Sequence, residues 1–229
     1  RGGTIAGRPA LRTVDALPEG VDLVVVAIPA DGVLAVAEAC ARRRARTLLV
    51  LSDGFGEAGP EGRRRQRDLV ATCRRAGIRI VGPNCLGVLN MDPAVRLDAT
   101  FAPTLPPRGR VAFLSQSGAL GIAVIDTARE LGVGLSSFAS VGDKADLSGN
   151  DFLAYWEGDP DTDVVLLYLE SFGNPRRFSR VARRVARRKP IVAVKGGRSP
   201  AGAQAAGSHT GALLAGSDAT VQALFRQAG

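Results

Sequence analysis

The stretch "VAFLSQSGALG", residues 111–121, decides the reading of this chain. An apolar run ends at Ser115, hydroxyl side chains fill a short turn, and Gly118 opens the helical pattern "GALGIAVIDTARELG" (118–132). A continuous apolar run feeding directly into an amphipathic helix is the repeating unit of a parallel sheet covered by helices.

Downstream the rhythm continues. "GLSSFASVG" (134–142) reads as a strand, "NDFLAYWEG" (150–158) as a short helix and "DVVLLYLES" (163–171) as a strand. "NPRRFSRVARRVARRK" (174–189) follows as a helix, "PIVAVKGG" (190–197) as a strand and "SDATVQALFRQAG" (217–229) as a last helix. This is a flavodoxin-like or Rossmann-like α/β domain over 108–229. Upstream, "VDLVVVAIP" (21–29), "RTLLVLS" (46–52) and "IRIVGPN" (78–84) read as strands. Between them lie helices over 31–44, with Asp31 as N-cap, and over 61–77, closed by Gly77. The aperiodic stretch 91–109, with four prolines, places a boundary after a first domain over 1–100. That domain has few strands for an open sheet, and both ends look cut, so the chain reads as a fragment of a larger protein.

Composition narrows the classes. No apolar run approaches the roughly 20 residues that cross a bilayer, and the start lacks a signal-peptide pattern. Cys40, Cys73 and Cys85 are odd in number and far apart, which favours a reducing cytoplasm over a disulfide framework. The net charge of +8 is carried by arginine clusters such as Arg183–Arg184 and Arg187–Arg188, on outer helix faces. With aromatics at 5% and no nucleic-acid motif, neither a nucleic acid nor a membrane is the expected partner; a polyanionic small ligand would use the same field.

Three sites could carry chemistry. Backbone N–H groups opening the helix at Gly118, with Ser115 and Ser117, would cradle an anion such as phosphate; an ordinary serine-capped turn is the simpler alternative. The stretch is not a Walker A loop, and Gln116 excludes the G-x-S-x-G elbow. His209, the one histidine, lies in the small-residue segment "GSHTGALLAG" (207–216) between the last strand and last helix. A neutral imidazole there is a competent nucleophile towards phosphorus; routine loop hydrogen bonding is the alternative. Glu170 ends a strand, where it would hold one imidazole N–H and leave the other nitrogen to attack, or else cap a helix or pair with Arg176. The acidic run 159–170 is not a calcium loop, because Val164 stands at the required glycine. Cys85 in "VGPNCLG" (81–87) reads as a structural turn residue. No metal ligand set is expected.

Seven motifs then fall in register: "IPA" (28–30), "SDGFGE" (52–57), "VGPNCLG" (81–87), "SQSGALG" (115–121), "GDKAD" (142–146), "YLES" (168–171) and "SHTGAL" (208–213). Together they resemble the NDP-forming acyl-CoA synthetases, relatives of the succinyl-CoA synthetase α subunit and of ADP-forming acetate–CoA ligase. The resemblance implies a partial Rossmann-like CoA-binding domain followed by a flavodoxin-like ligase domain. It implies the reversible reaction of acyl-CoA, ADP and phosphate to carboxylic acid, CoA and ATP. His209 would take the phosphoryl group, Glu170 would steady it, and Ser115, Ser117 and Gly118 would hold phosphate. Pro29, Ala30, Ser52, Gly54, Phe55, Asn84 and Cys85 match strand-end turns around CoA. ATP or ADP and Mg2+ would bind an ATP-grasp domain or subunit outside this chain, and an oligomer is expected. Asp143 stands where the family more often has asparagine. A non-catalytic acyl-CoA-sensing module, of the kind fused to a GNAT-type acetyltransferase, is the alternative; a nicotinamide-dependent oxidoreductase fits the fold class alone.

Overall fold

A computed structural model of the protein describes residues 3–197 and 218–228. A small antiparallel pair, β1 (Thr4–Ile5) and β2 (Arg8–Pro9), precedes a three-stranded parallel sheet. That sheet runs β3 (Leu23–Val26), β4 (Thr47–Val50) and β5 (Arg79–Val81), joined by α1 (Ala30–Arg42) and α2 (Gly59–Arg75). Val33, Ala37 and Cys40 of α1 and Leu69 and Cys73 of α2 recur at helical spacing and bury one face of each helix against the strands. The expected N-cap at Asp31 is displaced. Pro29 holds that position, and the Asp31 carboxylate sits in the first turn, accepting from Arg65 Nη2 at 2.7 Å. A carboxylate there still complements the helix dipole without capping it.

Among the described residues the second sheet has six strands, in the order β11-β10-β8-β9-β6-β7. Its parallel part is β8 (Arg108–Ser115), β9 (Leu135–Ser140), β10 (Val164–Leu169) and β11 (Ile191–Lys195). The crossovers include α3 (Gly118–Glu130), α4 (Gly149–Gly158) and α5 (Pro175–Ala186), and α6 (Asp218–Ala228) packs on α5. Every residue of β9 is buried, which fits a strand covered on both faces. Trp156 of α4 lies in the core on one side, its indole N–H donating to Ser137 Oγ at 2.8 Å. Along α5, Phe178, Val181, Ala182 and Val185 face inward, while Arg183, Arg184, Arg187 and Arg188 are exposed, as the charge pattern requires.

Two short strands, one before and one inside the stretch 91–109, were not expected. β6 (Gly87–Asn90) and β7 (Leu97–Thr100) form an antiparallel pair that joins the second sheet through β9. The second sheet therefore begins at Gly87, and residues 87–100 do not belong with the first. Four-residue strands at a sheet edge are too short to imprint a periodicity, and the prolines beside them mask the pair.

The two sheets meet along a backbone seam. Leu147 N donates to Ile80 O at 3.0 Å, Ala145 N to Gly82 O at 3.0 Å and Asp143 N to Pro83 O at 3.0 Å. The Asp146 carboxylate closes the seam, accepting from Arg79 Nε at 2.7 Å and Ile80 N at 3.1 Å. Gly142 makes this approach feasible. Its φ is +47°, and a Cβ there would meet Asn84 O at 2.1 Å and Pro83 O at 2.2 Å.

Gly142→Ala should therefore lower stability to urea by roughly 2–3 kcal/mol, from left-handed strain plus the backbone clash. Gly158→Ala, at a position with ordinary φ and open space around it, serves as the control and should stay within about 0.5 kcal/mol.

Candidate functional site

The decisive turn folds as a β–α junction. Ser117 is the N-cap of α3, extended at φ −95° and ψ 122°, and its hydroxyl accepts from Leu120 N at 3.3 Å. Behind it, the buried Ser115 hydroxyl donates to Ser117 O at 2.6 Å and fixes the turn. The first amides of a helix have no intrahelical acceptor and lie at the positive end of its dipole. Here they open onto a cleft of about 320 Å³ whose polar wall includes Asn84, Gln116, Ser117, Asp143 and Glu170. Leu51, Leu86, Phe101 and Ile122 line its apolar part.

Glu170 follows β10 at the carboxyl edge of the sheet and is 7% exposed. Its Oε2 is buried and has no hydrogen-bond partner among the described residues. It neither caps α5, whose N-cap is Asn174, nor forms an ion pair with Arg176 among those residues. What holds it is Gln116. The Gln116 Oε1 accepts from Glu170 N at 2.8 Å, Ser171 N at 2.9 Å and Lys144 Nζ at 3.2 Å, while its Nε2 donates to Ser171 O at 2.7 Å. Lys144 Nζ also donates to Ser171 Oγ. Burial pushes the Lys144 ammonium down to about 8 against the opposing pull of the Glu170 and Asp143 carboxyls.

A second carboxyl group enters from the seam. Asp143 and Glu57 face each other, and neither Asp143 oxygen has a hydrogen-bond donor in good geometry among the described residues. Two carboxylates would offer each other only lone pairs, whereas one shared proton turns repulsion into a hydrogen bond. Burial foremost, and then Glu57, push the Asp143 carboxyl up to about 8; Asn84 pulls weakly the other way. Burial would raise Glu57 too, but hydrogen bonds from Asp143 and the backbone hold it below its ordinary range. Its Oε1 accepts from Gly54 N at 2.5 Å and Phe55 N at 3.1 Å. Both effects favour a shared proton on Asp143 over Glu57.

The expected site residues fall into two groups. Ser117, Gly118, Glu170, Asn84 and Cys85 line the one cleft, with Ser115 directly behind it. Pro29, Ala30, Ser52, Gly54 and Phe55 gather instead at the carboxyl ends of β3 and β4. There the Ser52 hydroxyl donates to Ile28 O at 2.5 Å and Arg65 Nη1 donates to Gly54 O at 2.5 Å, tying the loops together. The Phe55 ring is fully buried in the first core, so only its backbone could meet a ligand. The Cys85 thiol donates to Val50 O at 3.3 Å and burial pushes it up to about 12, the behaviour of a structural thiol. His209 lies outside the described residues. Gln116, Lys144 and Glu57 were missed as site residues. A glutamine between two serines at a strand end carried the one available signal, since a polar amide at such a buried position needs partners.

The family model described as succinyl-CoA ligase like flavodoxin domain matches residues 108–229, and the one described as CoA binding domain matches residues 1–91. The chain is 47% identical over 225 residues to acetate–CoA ligase [ADP-forming] I of Archaeoglobus fulgidus, covering 98% of this chain and 32% of the relative. It is 44% identical over 218 residues to acetate–CoA ligase [ADP-forming] I subunit alpha of Pyrococcus furiosus, covering 95% of this chain and 46% of that subunit. Among solved structures, Ca. Korarchaeum cryptofilum dinucleotide forming acetyl-coenzyme A synthetase 1, in complex with phosphate and ADP, superposes with a TM-score of 0.90 at 40% identity. That match covers 98% of this chain and 48% of the other. The chain thus spans between a third and a half of the length of these relatives.

Two outcomes test the geometry directly. Gln116→Leu should destabilise the chain by roughly 2–4 kcal/mol in urea unfolding, because several buried donors lose one shared acceptor. Cys85 should resist iodoacetamide in the folded chain at pH 8 and react fully once the chain is denatured, as read by mass spectrometry of the modified peptide.

Proposed function

The chain belongs to the NDP-forming acyl-CoA synthetase family, and from that premise we propose that it carries the acyl-CoA, phosphate and phosphohistidine chemistry of such an enzyme. One observation carries the reading: the start of α3 and a buried Glu170 oxygen without a described partner line the same cleft. The first supplies fixed N–H donors for phosphate oxygens, and the second supplies an acceptor for an imidazole N–H.

In this reading Ser117 and the amides at Gly118 and Ala119 hold inorganic phosphate, with Ser115 fixing the turn. A phosphate oxygen attacks the thioester carbonyl, the carbon–sulfur bond breaks, and an acyl phosphate and CoA result. His209 then takes the phosphoryl group and releases the carboxylate. Glu170, locked by Gln116, accepts one imidazole N–H so that the other nitrogen carries the lone pair. Such transfer is mainly positioning plus neutralisation of oxygen charge, which the helix terminus provides. CoA lies along the turns at Pro29–Ala30, Ser52–Phe55 and Asn84–Cys85. The apolar wall of Leu51, Leu86, Phe101 and Ile122 receives the acyl part of a small carboxylic acid. ATP or ADP with Mg2+ is handled by an ATP-grasp domain or subunit, with which this chain assembles. The three cysteines are all buried and unpaired, in keeping with action in a reducing cytoplasm.

The test is phosphorylation of the full-length protein with labelled ATP and Mg2+. Acid-labile, base-stable label that disappears in His209→Gln is expected; no label in the unaltered protein supports a sensing module instead. Glu170→Gln should slow labelling roughly 10²-fold in rapid-quench measurements, the scale of losing a positioned acid–base partner.

A further inference from the structure

The placement of Lys144 is costly, and the phosphate chemistry above gives it no task. Its backbone is left-handed, at φ +53°, which a residue with a side chain adopts only at an energetic cost. The seam imposes that conformation. Asp143 N and Ala145 N, on either side, donate to Pro83 O and Gly82 O, and Lys144 N donates to Val141 O at 2.9 Å. The side chain is half-buried, and its ammonium donates to Gln116 Oε1 and Ser171 Oγ. Hydrogen bonding alone does not require a cation there. Gln116 Oε1 has two lone pairs and already receives Glu170 N at 2.8 Å and Ser171 N at 2.9 Å. What the ammonium adds is charge. Among the charges acting on it, Glu170 favours the charged form most, ahead of Asp143, while Lys195 of β11 opposes it. Neither Lys144 nor any other lysine or arginine lines the cleft among the described residues, so this charge acts from outside the place where phosphate is held.

Glu170 faces a difficulty that such a charge removes. As His209 takes the phosphoryl group, a negatively charged phosphate is brought close to the carboxylate that holds the imidazole, and like charges repel strongly where water is scarce. We propose that Lys144 is a positioning residue for Glu170: it clamps Gln116 and Ser171, which fix the glutamate backbone, and supplies the positive charge that lets the carboxylate keep the His209 N–H while the phosphoryl group arrives. This rests on the phosphohistidine reading above. In that step the phosphorus–oxygen bond of the acyl phosphate breaks as the nitrogen–phosphorus bond forms. The carboxylate leaves with the electron pair, and the other imidazole nitrogen keeps its hydrogen on Glu170. Lys144 touches none of the reacting atoms and exchanges no proton. The same segment that joins the two sheets thereby sets the partner of the histidine.

Two half-reactions of the full-length protein separate this role from a purely structural one. Labelling of His209 from 32P-labelled acetyl phosphate, followed by rapid quench, uses Glu170. Thiol release from acetyl-CoA with arsenate does not, because arsenate takes the phosphate seat and acyl arsenate hydrolyses spontaneously. Lys144→Met should slow labelling roughly 10- to 100-fold, the scale of losing one charge-assisted hydrogen bond, and change thiol release by less than about threefold. Lys144→Gln, which keeps a donor but no charge, should behave in the same way. On the Glu170→Gln background, Lys144→Met should cost less than about threefold more, since its effect passes through the carboxylate. Labelling of either variant at the unaltered rate, an equal fall in both half-reactions, or a full further loss on the Glu170→Gln background overturns the assignment. An unaltered protein that takes no label removes the phosphohistidine reading and this assignment with it; label that both Lys144 variants keep at full rate removes this assignment alone.

Discussion

The seam between residues 142–147 and 80–83 is the constraint on which the rest depends. Three backbone hydrogen bonds and the Asp146 clamp draw the loop after β9 against the turn after β5. Leu49, Val81 and Cys85 of the first unit pack there with Val88, Leu147 and Phe152 of the second, so the contact is apolar as well as polar. Without it the strand-end loops of the first sheet would not face the opening of α3. The cleft is a product of the junction and belongs to neither sheet alone, which agrees with the general placement of ligands beyond the carboxyl ends of parallel strands.

The electrostatics follow from the same contact. A site for an anion that contains Glu57, Asp143 and Glu170 looks self-defeating until each charge is followed to its partners. Glu57 accepts from two backbone amides, and burial together with Glu57 pushes the Asp143 carboxyl up, towards its neutral form. Glu170 has the buried Lys144 close by, held on the shared Gln116 oxygen. What remains facing the cleft is the positive end of α3 and one carboxylate acceptor. That combination suits a phosphate that must be held and then passed to an imidazole.

Much of this was legible in the sequence because parallel strands leave strong marks. The apolar runs at 111–115, 163–171 and 190–197 and the turn at Ser117–Gly118 fell where the structure has them. The edge pair β6–β7 was not legible, since two four-residue strands among prolines carry no period. Asp31 looked like a cap because its residue type fits; Pro29, with its fixed φ, began the helix earlier. Beyond the hint of a glutamine between two serines at a strand end, the roles of Gln116, Lys144 and Glu57 could not be read. Gln116 and Lys144 depend on partners distant in sequence, as in their bonds to Ser171, and a single sequence holds no record of such pairings.

The account stands or falls on whether phosphate and the CoA sulfur meet in this one cleft. A crystal structure of the full-length protein with inorganic phosphate and CoA is the most direct measurement. The account requires phosphate oxygens within hydrogen-bond distance of Ser117 Oγ and Gly118 N, with the CoA sulfur directed into the same cleft. Phosphate bound away from the α3 terminus, or the sulfur directed out of the cleft, would contradict it.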